Sequence, residues 1–421
     1  MNSTTAPAGI PLPRNAPAAA RTLMQLLQRL RHGSLTLQLP DGTVQRFGSS
    51  SGPHASMRLA NWNVCRAVLK SGDIGFAESF IAGDWTTPNL TALLGLMVAN
   101  RREMDAAIYG SWLGRLVYRV RHLLNRNSKT NSRKNIHAHY DLGNAFYERW
   151  LDETMNYSSA WFEEPEQSLV EAQHAKVRRA LRMAGVRPGH RVLEIGCGWG
   201  ALAEKAATEF GASVTGVTLS TEQLAFAQRR MERLGVPLAD VADASQPINV
   251  NRPTADLRLQ DYRDIQDEPF DAICSIEMLE AVGRAYWPTY FESVARLLKP
   301  GGRACIQSIV IDDALFDRYI NGTDFIQQYV FPGGCLPCPR EVRAQAAAAG
   351  LEVIDELPFG PDYARTLQTW RERFLHEQEQ VLQLGFDQRF LRIWEFYLAY
   401  CEAAFTGGNI NVVQYTLRKS A

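Results

Sequence analysis

The fold is decided by "RVLEIGCGWGALAEKAA", residues 191–207, where a branched apolar run leads into three glycines and then into helix-forming residues. Gly196, Gly198 and Gly200 permit positive φ angles and remove side chains that would block a close approach. A strand that ends in such a turn and continues into a helix presents backbone N–H groups to a ligand. Glu194 precedes the turn, and the spacing G-x-G-x-G is one residue tighter than the dinucleotide fingerprint. Packing alone could also explain a single turn of this kind, so the rest of the chain must decide.

The segments on both sides of the turn alternate between strands and helices. Strands are predicted over residues 191–195, 213–218, 270–276, 303–311, 351–357 and 410–417. With helices between most of them, this order predicts an α/β fold with a mainly parallel, doubly wound sheet. The last two strands are expected to form a hairpin-like addition at the sheet edge. A ligand should then bind beyond the carboxyl ends of the strands, where the glycine turn lies.

The remaining composition is that of a folded protein with room for two domains. The chain has 421 residues, of which 46% are hydrophobic, a proportion unlike that of disordered proteins. No stretch reaches the ~18 uninterrupted apolar residues of a transmembrane helix. Residues 1–20 are rich in proline and alanine and lack the pattern of a secretory signal, so they are predicted to be a disordered lead-in.

The cysteines indicate a reducing compartment. There are seven, scattered along the chain, and an odd scattered set fits reduced thiols in the cytoplasm better than a disulfide framework. Cys335 and Cys338 form a lone C-x-x-C motif without a second pair or a histidine cluster. No metal site is therefore predicted.

A small mixed α+β domain is predicted over residues 21–125, ahead of the α/β region. Its strongest signal is a period-two alternation around Asp41-Gly42, which predicts a β-hairpin. Helices are predicted within 61–85 and 89–124. Residues 126–135 are polar and read as a linker, which leaves 136–421 as the α/β domain.

Charge is distributed unevenly along a chain whose net charge is zero. Residues 1–134 carry 17 basic and 6 acidic side chains, and residues 115–134 carry seven basic and no acidic ones. Such a run favours attraction to an anionic surface, either phospholipid or nucleic acid. The apolar positions just before the linker suggest an amphipathic basic helix at a membrane interface. A solvated linker, or a helix packed on its own domain, would explain the same residues.

The end of the second α/β strand gives the first specific resemblance. A nicotinamide-binding sheet usually has an acidic residue there, whereas "ASVTGVTLSTEQ" ends in Thr218, Ser220 and Gln223. Together with "VLEIGCGWG", this resembles an S-adenosylmethionine-dependent methyltransferase. On that interpretation the turn accommodates the methionyl part of the cofactor, and Glu194 accepts its ammonium group.

Further motifs narrow the resemblance to one family. They are "HYDLGNAFYERWLDETMNYSSAWF" (139–162), "LQDYRD" (259–264), "SIEMLEAVG" (275–283), "DFIQQYVFPGG" (324–334), "DYARTLQTWRERF" (362–374) and "FYLAYCEAAF" (396–405). In this order they resemble the cyclopropane-fatty-acyl-phospholipid synthases, a family that includes the mycolic acid cyclopropane synthases. The resemblance covers about 135–419, and residues 21–125 resemble the extra N-terminal domain of the members that act on phospholipids.

The resemblance implies a Rossmann-like class I methyltransferase sheet with helical insertions, and S-adenosylmethionine as cofactor. It also implies addition of a methyl group to a cis double bond in a phospholipid acyl chain, followed by proton loss and ring closure. The residues that it assigns to the cofactor are Tyr157, Ser158, Glu194, Gly196, Gly198, Gly200, Thr218, Leu219, Gln223, Gln260 and Asp261.

The family holds a bicarbonate ion as its base, and its holders correspond here to Ser159, Glu280, Gln307, Ile309 and Tyr363. The family usually has Cys at the first of these positions and His at the third. Serine keeps a hydroxyl donor, but glutamine cannot titrate as histidine can. These two departures put the identity of the base in doubt.

Two further residues are candidates for the catalytic set. Glu277 stands where many family members have glycine, three residues before Glu280, so both carboxylates could share a helix face. Glu277 could replace the bicarbonate, one carboxylate could raise the pKa of the other, or Glu277 could only brace the helix start. Cys401 matches a cysteine proposed as catalytic in the family, although a small sulfur in an aromatic helix is usually a packing group.

The leading hypothesis is thus a cytoplasmic enzyme, peripheral on the inner membrane, whose partner is a phospholipid surface with unsaturated acyl chains. An enzyme alternative methylates the double bond without closing a ring and leaves a methylene- or methyl-branched chain. A non-catalytic lipid-binding protein is an alternative of another class. Nucleic-acid methylation is disfavoured because the basic region lies outside the α/β domain. The sequence leaves a homodimer and the substrate's chain length open.

Overall fold

The computed structural model describes residue 13 and residues 16–103, 142–239 and 253–421. The described residues fall into two compact units. The first contains those before residue 121 together with Arg392–Ala403, and the second contains the remainder. The predicted linker at 126–135, the basic run at 115–134 and the amphipathic basic helix lie outside the described residues. The boundary of the predicted N-terminal domain at residue 125 therefore stays a prediction.

The first unit combines a four-stranded sheet with helices. Its strands are β1 (Ser34–Gln38), β2 (Val44–Gly48), β3 (His54–Leu59) and β4 (Trp85–Thr86), and its helices are α1 (Ala18–Leu27), α2 (Asn63–Ala82) and α3 (Leu90–Ala99). Strands β1 and β2 form the predicted antiparallel hairpin, while β3 lies parallel to β1 on its other side. Helix α1 begins at Ala18, before the predicted lead-in ends, because the buried side chain of Ala20 packs into the unit.

The second unit is built on a seven-stranded sheet in the order β10-β11-β9-β8-β5-β6-β7. The strands are β5 (Arg191–Ile195), β6 (Ser213–Thr218), β7 (Ala255–Leu259), β8 (Phe270–Ile276), β9 (Leu298–Ile311), β10 (Leu351–Pro358) and β11 (Ile410–Lys419). Strands β7, β6, β5, β8 and β9 run parallel. Strand β11 inserts antiparallel between β9 and β10. The predicted hairpin-like addition at the edge is therefore confirmed.

Helices make up much of the rest of the described residues after residue 141. They are α4 (Asn144–Tyr147), α5 (Leu169–Met183), α6 (Ala201–Thr208), α7 (Thr221–Arg233), α8 (Leu279–Val282), α9 (Trp287–Leu297), α10 (Asp313–Tyr319), α11 (Phe325–Tyr329), α12 (Pro339–Ala348), α13 (Gly360–His376), α14 (Gln378–Gln383) and α15 (Gln388–Thr406). Helix α15 supplies Arg392–Ala403 to the first unit, where Arg392 donates to the carbonyl of Ile81 and Tyr400 donates to Asp73.

Two apolar clusters lie on the sheet of the second unit. One joins Leu193 and Ile306 to the aromatic face of α9, including Trp287 and Tyr290. The other cluster packs α5, α6 and α7 against alternate side chains of the same strands. Both faces of β5 are thus covered, which explains why its last four residues are all buried.

The predicted α/β class and most strand positions are confirmed. The first three predicted strands have the observed bounds, and β9 begins five positions earlier because it includes the "LKPGG" segment. Strand β7 was missed. Its sequence, "ADLRL", alternates between apolar and charged residues at the sheet edge, and the charged side chains pair with one another instead of marking an apolar strand.

Candidate functional site

The glycine turn after β5 is held open by backbone geometry. Gly196, Gly198 and Gly200 all have positive φ angles, of 84°, 50° and 84°. The amides of Gly196 and Cys197 donate to the carbonyl of Val217 in the neighbouring strand. A Cβ atom on Gly198 would meet nothing within 4 Å, because that side of the turn faces a cavity. The turn therefore leaves room for a ligand at the carboxyl end of β5, as the sequence predicts.

A single cavity brings most of the predicted cofactor residues together. It lies at the carboxyl ends of β5, β6 and β8 and is lined by Tyr157, Ser158, Glu194, Gly196, Gly198, Thr218, Leu219, Gln223, Gln260 and Asp261. Gly200 does not line it. A Cβ atom at that position would come within 3.0 Å of the Cβ of Ala227, so this glycine allows α6 and α7 to approach each other.

Glu194 has the properties expected of an ammonium acceptor. Its side chain is buried, and its Oε2 atom has no hydrogen-bond partner among the described residues. Burial raises the pKa of this carboxyl to about 8, although Lys176 and Arg230 act in the opposite direction. An orphaned buried acceptor in a cavity wall carries a large desolvation cost that a bound cation would remove.

The opposite wall of the cavity is fixed by polar contacts among its own residues. Gln223 lies in the first turn of α7, its backbone amide donates to the hydroxyl of Ser220, and its Oε1 accepts from the hydroxyl of Thr218 at 3.0 Å. Asp261 pairs with Arg263 at 2.5 Å. These contacts hold the segments after β6 and β7 in place, so this wall is preorganised.

Arg230 ties the glycine turn to the segment that carries Tyr157 and Ser158. Its guanidinium donates to the carbonyl of Trp199 at 3.0 Å and to that of Thr154 at 2.9 Å. It also pairs with Glu204 at 3.1 Å. Sequence reasoning missed this residue, because it is one of many basic residues on an amphipathic helix.

Next to the cavity, the carboxylate of Glu277 is enclosed by donors. Its Oε1 accepts from the backbone amide of Ser159 at 2.9 Å and from Nε2 of Gln307 at 2.8 Å, and its Oε2 accepts from the hydroxyl of Tyr363 at 2.7 Å. Three of the five positions assigned to an ion thus contact this side chain. Burial raises the pKa of Glu277, while Tyr363, Lys176, Ser159 and Gln307 oppose that rise.

The strand register explains how these groups meet. Residue 276 ends β8 opposite Gln307 of β9, and the amide of Glu277 then donates to the carbonyl of Gln307 at 2.7 Å. Glu277 has a φ of 51°, which a residue other than glycine adopts only at a cost of roughly 1 kcal/mol or more. The expectation that Glu277 and Glu280 share a helix face is wrong, because α8 begins at Leu279 and Glu277 lies before it.

Glu280 has a different environment from Glu277. Its Oε1 accepts from the amide of Ile309, and its Oε2 is buried with no partner among the described residues. Burial, followed by the charge of Glu277, raises the pKa of Glu280 to about 8. Glu280 is thus mainly a neutral acid at pH 7, which agrees with the hypothesis that one carboxylate raises the pKa of the other.

Lys176 supplies positive charge beneath these carboxylates. It is fully buried on α5 and donates to the hydroxyl of Ser158 at 2.5 Å and to Oδ1 of Asn156 at 3.3 Å. Burial lowers its pKa to about 8, while Glu277 and Glu194 act in the opposite direction. The sequence offered one signal, a lysine on the mainly apolar face of an amphipathic helix.

Cys401 belongs to Arg392–Ala403, the part of α15 that lies in the first unit. The geometry of the second unit therefore adds nothing to its candidacy as a catalytic residue, which stays a prediction. No disulfide joins the seven cysteines. Within the described ranges, no group of three or more His, Cys, Asp or Glu side chains could hold a metal ion.

The sequence model of the family described as "Mycolic acid cyclopropane synthetase" matches residues 127–415. The chain belongs to this mycolic acid cyclopropane synthetase family. Its fold is therefore that of a class I methyltransferase, and the chain is an S-adenosylmethionine-dependent methyltransferase, as the resemblance implied.

Relatives within the cyclopropane synthetase family differ in the reaction that their names describe. Tuberculostearic acid methyltransferase UfaA1 of Mycobacterium tuberculosis is 36% identical over 99% of this chain and 96% of its own. The cyclopropane-fatty-acyl-phospholipid synthase of Escherichia coli is 34% identical over 86% of this chain and 87% of its own. The solved structure of mycolic acid cyclopropane synthase CmaA1 complexed with SAH and CTAB has a TM-score of 0.60 and 30% identity, over 68% of this chain and 98% of that one.

The cavity fits the cofactor of the cyclopropane synthetase family. Glu194 would accept the ammonium group on its orphaned oxygen, and the side of the turn at Gly198 offers space for the methionyl chain. S-adenosylmethionine supplies an activated methyl group when it is bound. The protein's own residues must then position the acceptor of the methyl group and accept any proton that leaves it.

Proposed function

We propose that this protein transfers a one-carbon unit from S-adenosylmethionine to the cis double bond of an unsaturated phospholipid acyl chain, and that Glu277 is the base that completes the reaction. The family supports the acceptor, because the named relatives act on lipids or fatty acids. The observation that carries the role of Glu277 is its carboxylate, which accepts three hydrogen bonds inside the protein.

The chemistry requires a base at this position. An alkene is a weak nucleophile, so methyl addition needs a dry site that holds both partners in line. With S-adenosylmethionine bound, the π electrons of the alkene would form the new C–C bond, the electrons of the broken S–C bond would stay with the leaving thioether, and the acyl chain would become a cation. A base must then accept a proton from that cation. Glu277 is half-buried and lines the proposed cofactor cavity.

The residues do not fit a bound bicarbonate next to Glu277. Ser159, Gln307 and Tyr363, which the family resemblance assigns to the ion, direct a donor each at the Glu277 carboxylate. The amide of Ile309 is directed at Glu280. We infer that a carboxylate of the chain takes the place of the ion, and no step is assigned to bicarbonate.

Two products are compatible with this base, and they differ in which proton leaves. Loss from the added methyl group, with closure of a second C–C bond, gives a cyclopropane. Loss of a proton from a chain carbon next to the cation gives a methyl-branched unsaturated chain, whereas a 1,2-hydride shift followed by loss from the methyl group gives a methylene-branched chain. The ring is favoured by the description of the family. The branched product is favoured by the tuberculostearic acid methyltransferase, which matches almost the whole chain, and by a base that is tethered to the backbone.

The test is product analysis with purified protein, S-adenosylmethionine and vesicles of an unsaturated phospholipid. Proton NMR separates ring protons from alkene protons, which mass alone cannot do because the ring and the methylene-branched chain are isomers. Glu277→Gln should lower kcat by about 10²- to 10⁴-fold, the usual contribution of a general base. Glu277→Gly should lose activity in carbonate-free buffer and regain part of it with added bicarbonate.

Two results would contradict this proposal. A Glu277→Gln variant with unchanged kcat would remove Glu277 from the mechanism. A wild type whose rate depends on added bicarbonate would restore the ion as the base. Saturated phospholipid is the substrate control, since without a double bond neither product can form. If both vesicle types bind and neither reacts, a lipid-binding protein remains.

We further propose that the enzyme works in the cytoplasm on the inner membrane surface, with the basic run at 115–134 as the attraction to anionic lipid. No helix in the described part of the chain is long and apolar enough to cross a membrane. Sedimentation with anionic vesicles should weaken as salt rises. Replacing Arg115, Arg119 and Arg121 by Gln should weaken it too, and binding that ignores lipid charge and salt would point to a plain linker.

A further inference from the structure

A buried chain of hydrogen bonds supports Gln307 from behind. Gln307 lies directly opposite Gln414 in the antiparallel pair of β9 and β11. Nε2 of Gln414 donates to Oε1 of Gln307 at 3.0 Å, and Oε1 of Gln414 accepts from the guanidinium of Arg179 at 2.8 Å. Both glutamines are fully buried. Arg179 is itself paired with Asp355 at 2.7 Å.

The direction of each of these hydrogen bonds is set by groups that can act only as a donor or only as an acceptor. A guanidinium can only donate and a backbone carbonyl can only accept. Arg179 therefore requires the oxygen of the Gln414 amide, and the carbonyl of Lys176, 3.2 Å from Nε2, requires its nitrogen. Gln414 must then donate to Gln307, whose remaining amide end, Nε2, faces Glu277 at 2.8 Å.

We propose that Gln414, oriented by Arg179, is a positioning residue that locks the Gln307 amide as a donor toward Glu277. This inference rests on the proposed role of Glu277 as the base. If the Gln307 amide rotated, its oxygen would face Glu277. It would then accept a hydrogen bond from the protonated Glu277 carboxyl instead of donating one to the carboxylate. In the native protein that rotation would place two donor NH2 groups against each other, at Gln307 and Gln414. The lock thus favours the form of Glu277 that can accept a proton.

Other groups around Glu277 contribute to its charge state and stay constant in the test. Lys176 on α5 is the nearby cation, Glu280 on α8 is the nearby acid, and Tyr363 on α13 donates to Oε2. A change at position 414 alters none of these side chains, and at Lys176 it removes only the donor to the backbone carbonyl. A shift in the titration of Glu277 after such a change therefore reports the orientation of Gln307.

The experiment is the pH profile of kcat with unsaturated phospholipid vesicles and saturating S-adenosylmethionine. Gln414→Leu removes the donor that locks Gln307, so the protonated form of Glu277 gains a hydrogen-bond acceptor. We expect the acid limb to move up by about one pH unit, the shift produced by one hydrogen bond to a charged group. KM should change little, because position 414 lies outside the cavity lining.

The matched control is Thr416→Val on the same strand. Thr416 is also fully buried, and its hydroxyl has no hydrogen-bond partner among the described residues, so this isosteric change perturbs β11 without touching the lock. It should leave the acid limb in place. If Gln414→Leu does not fold, Arg179→Met gives a smaller shift in the same direction, because the Lys176 carbonyl still orients Gln414, and Arg179→Lys should restore the profile.

The outcomes separate this inference from the proposed function. An acid limb that stays in place in Gln414→Leu, while Glu277→Gln is inactive, overturns the lock and leaves Glu277 as the base. Activity that survives in Glu277→Gln overturns both. In a Gln307→Leu background the change at position 414 should produce no further shift, because the two positions act through one amide. A further shift there would also contradict the lock.

Discussion

Glu280 lies three residues after Glu277, yet only Glu277 receives hydrogen bonds on both carboxylate oxygens from the described residues. The two side chains therefore have different hydrogen-bonding environments within one region of the second unit. Glu277 has donors that support an anion, whereas burial and the charge of Glu277 hold the pKa of Glu280 at about 8. Pairs of carboxyl groups with separated pKa values are a common way to hold one as base and one as acid.

The raised pKa of Glu280 predicts how stability changes with pH. Between about pH 4.5 and 8 the folded state keeps the Glu280 proton and the unfolded state loses it, so this group makes the protein less stable as pH rises. Glu280→Gln should remove this dependence and stabilise the protein at pH 8 by at most roughly 5 kcal/mol. Denaturant melts at pH 5 and 8 measure it. The exposed Glu268→Gln should leave the slope unchanged, and an unaltered slope in Glu280→Gln would contradict the prediction.

Binding of S-adenosylmethionine should release a proton from Glu194. The pKa of this buried carboxyl is about 8, so it is mainly protonated at pH 7 before a cation arrives. An ammonium group against its orphaned oxygen favours the charged form. Calorimetry in buffers with different ionisation enthalpies should show release approaching one proton at pH 7, and affinity should rise between pH 6 and 8. Glu194→Gln should abolish the release and Glu280→Gln should keep it. Equal release in both variants would assign the proton elsewhere.

A side chain at position 198 should prevent cofactor binding, while the stability of the protein should fall no more than in a control glycine variant. Its φ is 50°, it lines the cavity, and a Cβ there would meet no atom within 4 Å. Gly198→Val should abolish measurable binding of S-adenosylmethionine in calorimetry. Gly42→Val is the matched control, because Gly42 also has a positive φ and open space around it but lies in the hairpin of the first unit. Both should lose about 1–2 kcal/mol of stability. Unchanged affinity in Gly198→Val would refute the assignment of this cavity.

Loss of Arg230 should affect both stability and cofactor binding. Arg230→Met leaves the carbonyls of Trp199 and Thr154 and the carboxylate of Glu204 without their donor. We expect a loss of about 3 kcal/mol in unfolding free energy and a cofactor affinity reduced by tenfold or more. The exposed neighbour Arg233, changed to Met, is the control and should alter neither. Full affinity in Arg230→Met would show that the glycine turn keeps its conformation without the contacts of Arg230.

The glycine turn and six of the seven strands of the second unit could be predicted because their signals are local. The residue types of a run such as Arg191–Ile195 predict a buried strand, and the glycines after it predict the turn. Most of the cofactor cavity follows from those elements, since parallel strands bring their carboxyl ends to one edge. The edge strand Ala255–Leu259 escaped because its polar side chains are satisfied by pairing within the strand and its neighbour loop.

The support of the candidate base could not be predicted in the same way. Gln414 and Gln307 are 107 positions apart, and only the register of β9 with β11 places them opposite each other. Arg179 reaches them from a helix whose rotation is set by packing. The positive φ of Glu277 is equally invisible in its side-chain type, although it explains why a glycine suits that position.

The insertion of β11 between β9 and β10 means that different strands of the sheet form the cavity and support the candidate base. The cavity for the cofactor is built by the parallel strands β5, β6 and β8, while the amides behind the base come from β9 and its antiparallel partner. Opening of β11 alone would leave a protein that still takes up S-adenosylmethionine but has lost its orientation of the proton acceptor. Such a state would pass a ligand-binding assay and fail turnover, so damage near the carboxyl-terminal strand is expected to separate the two activities.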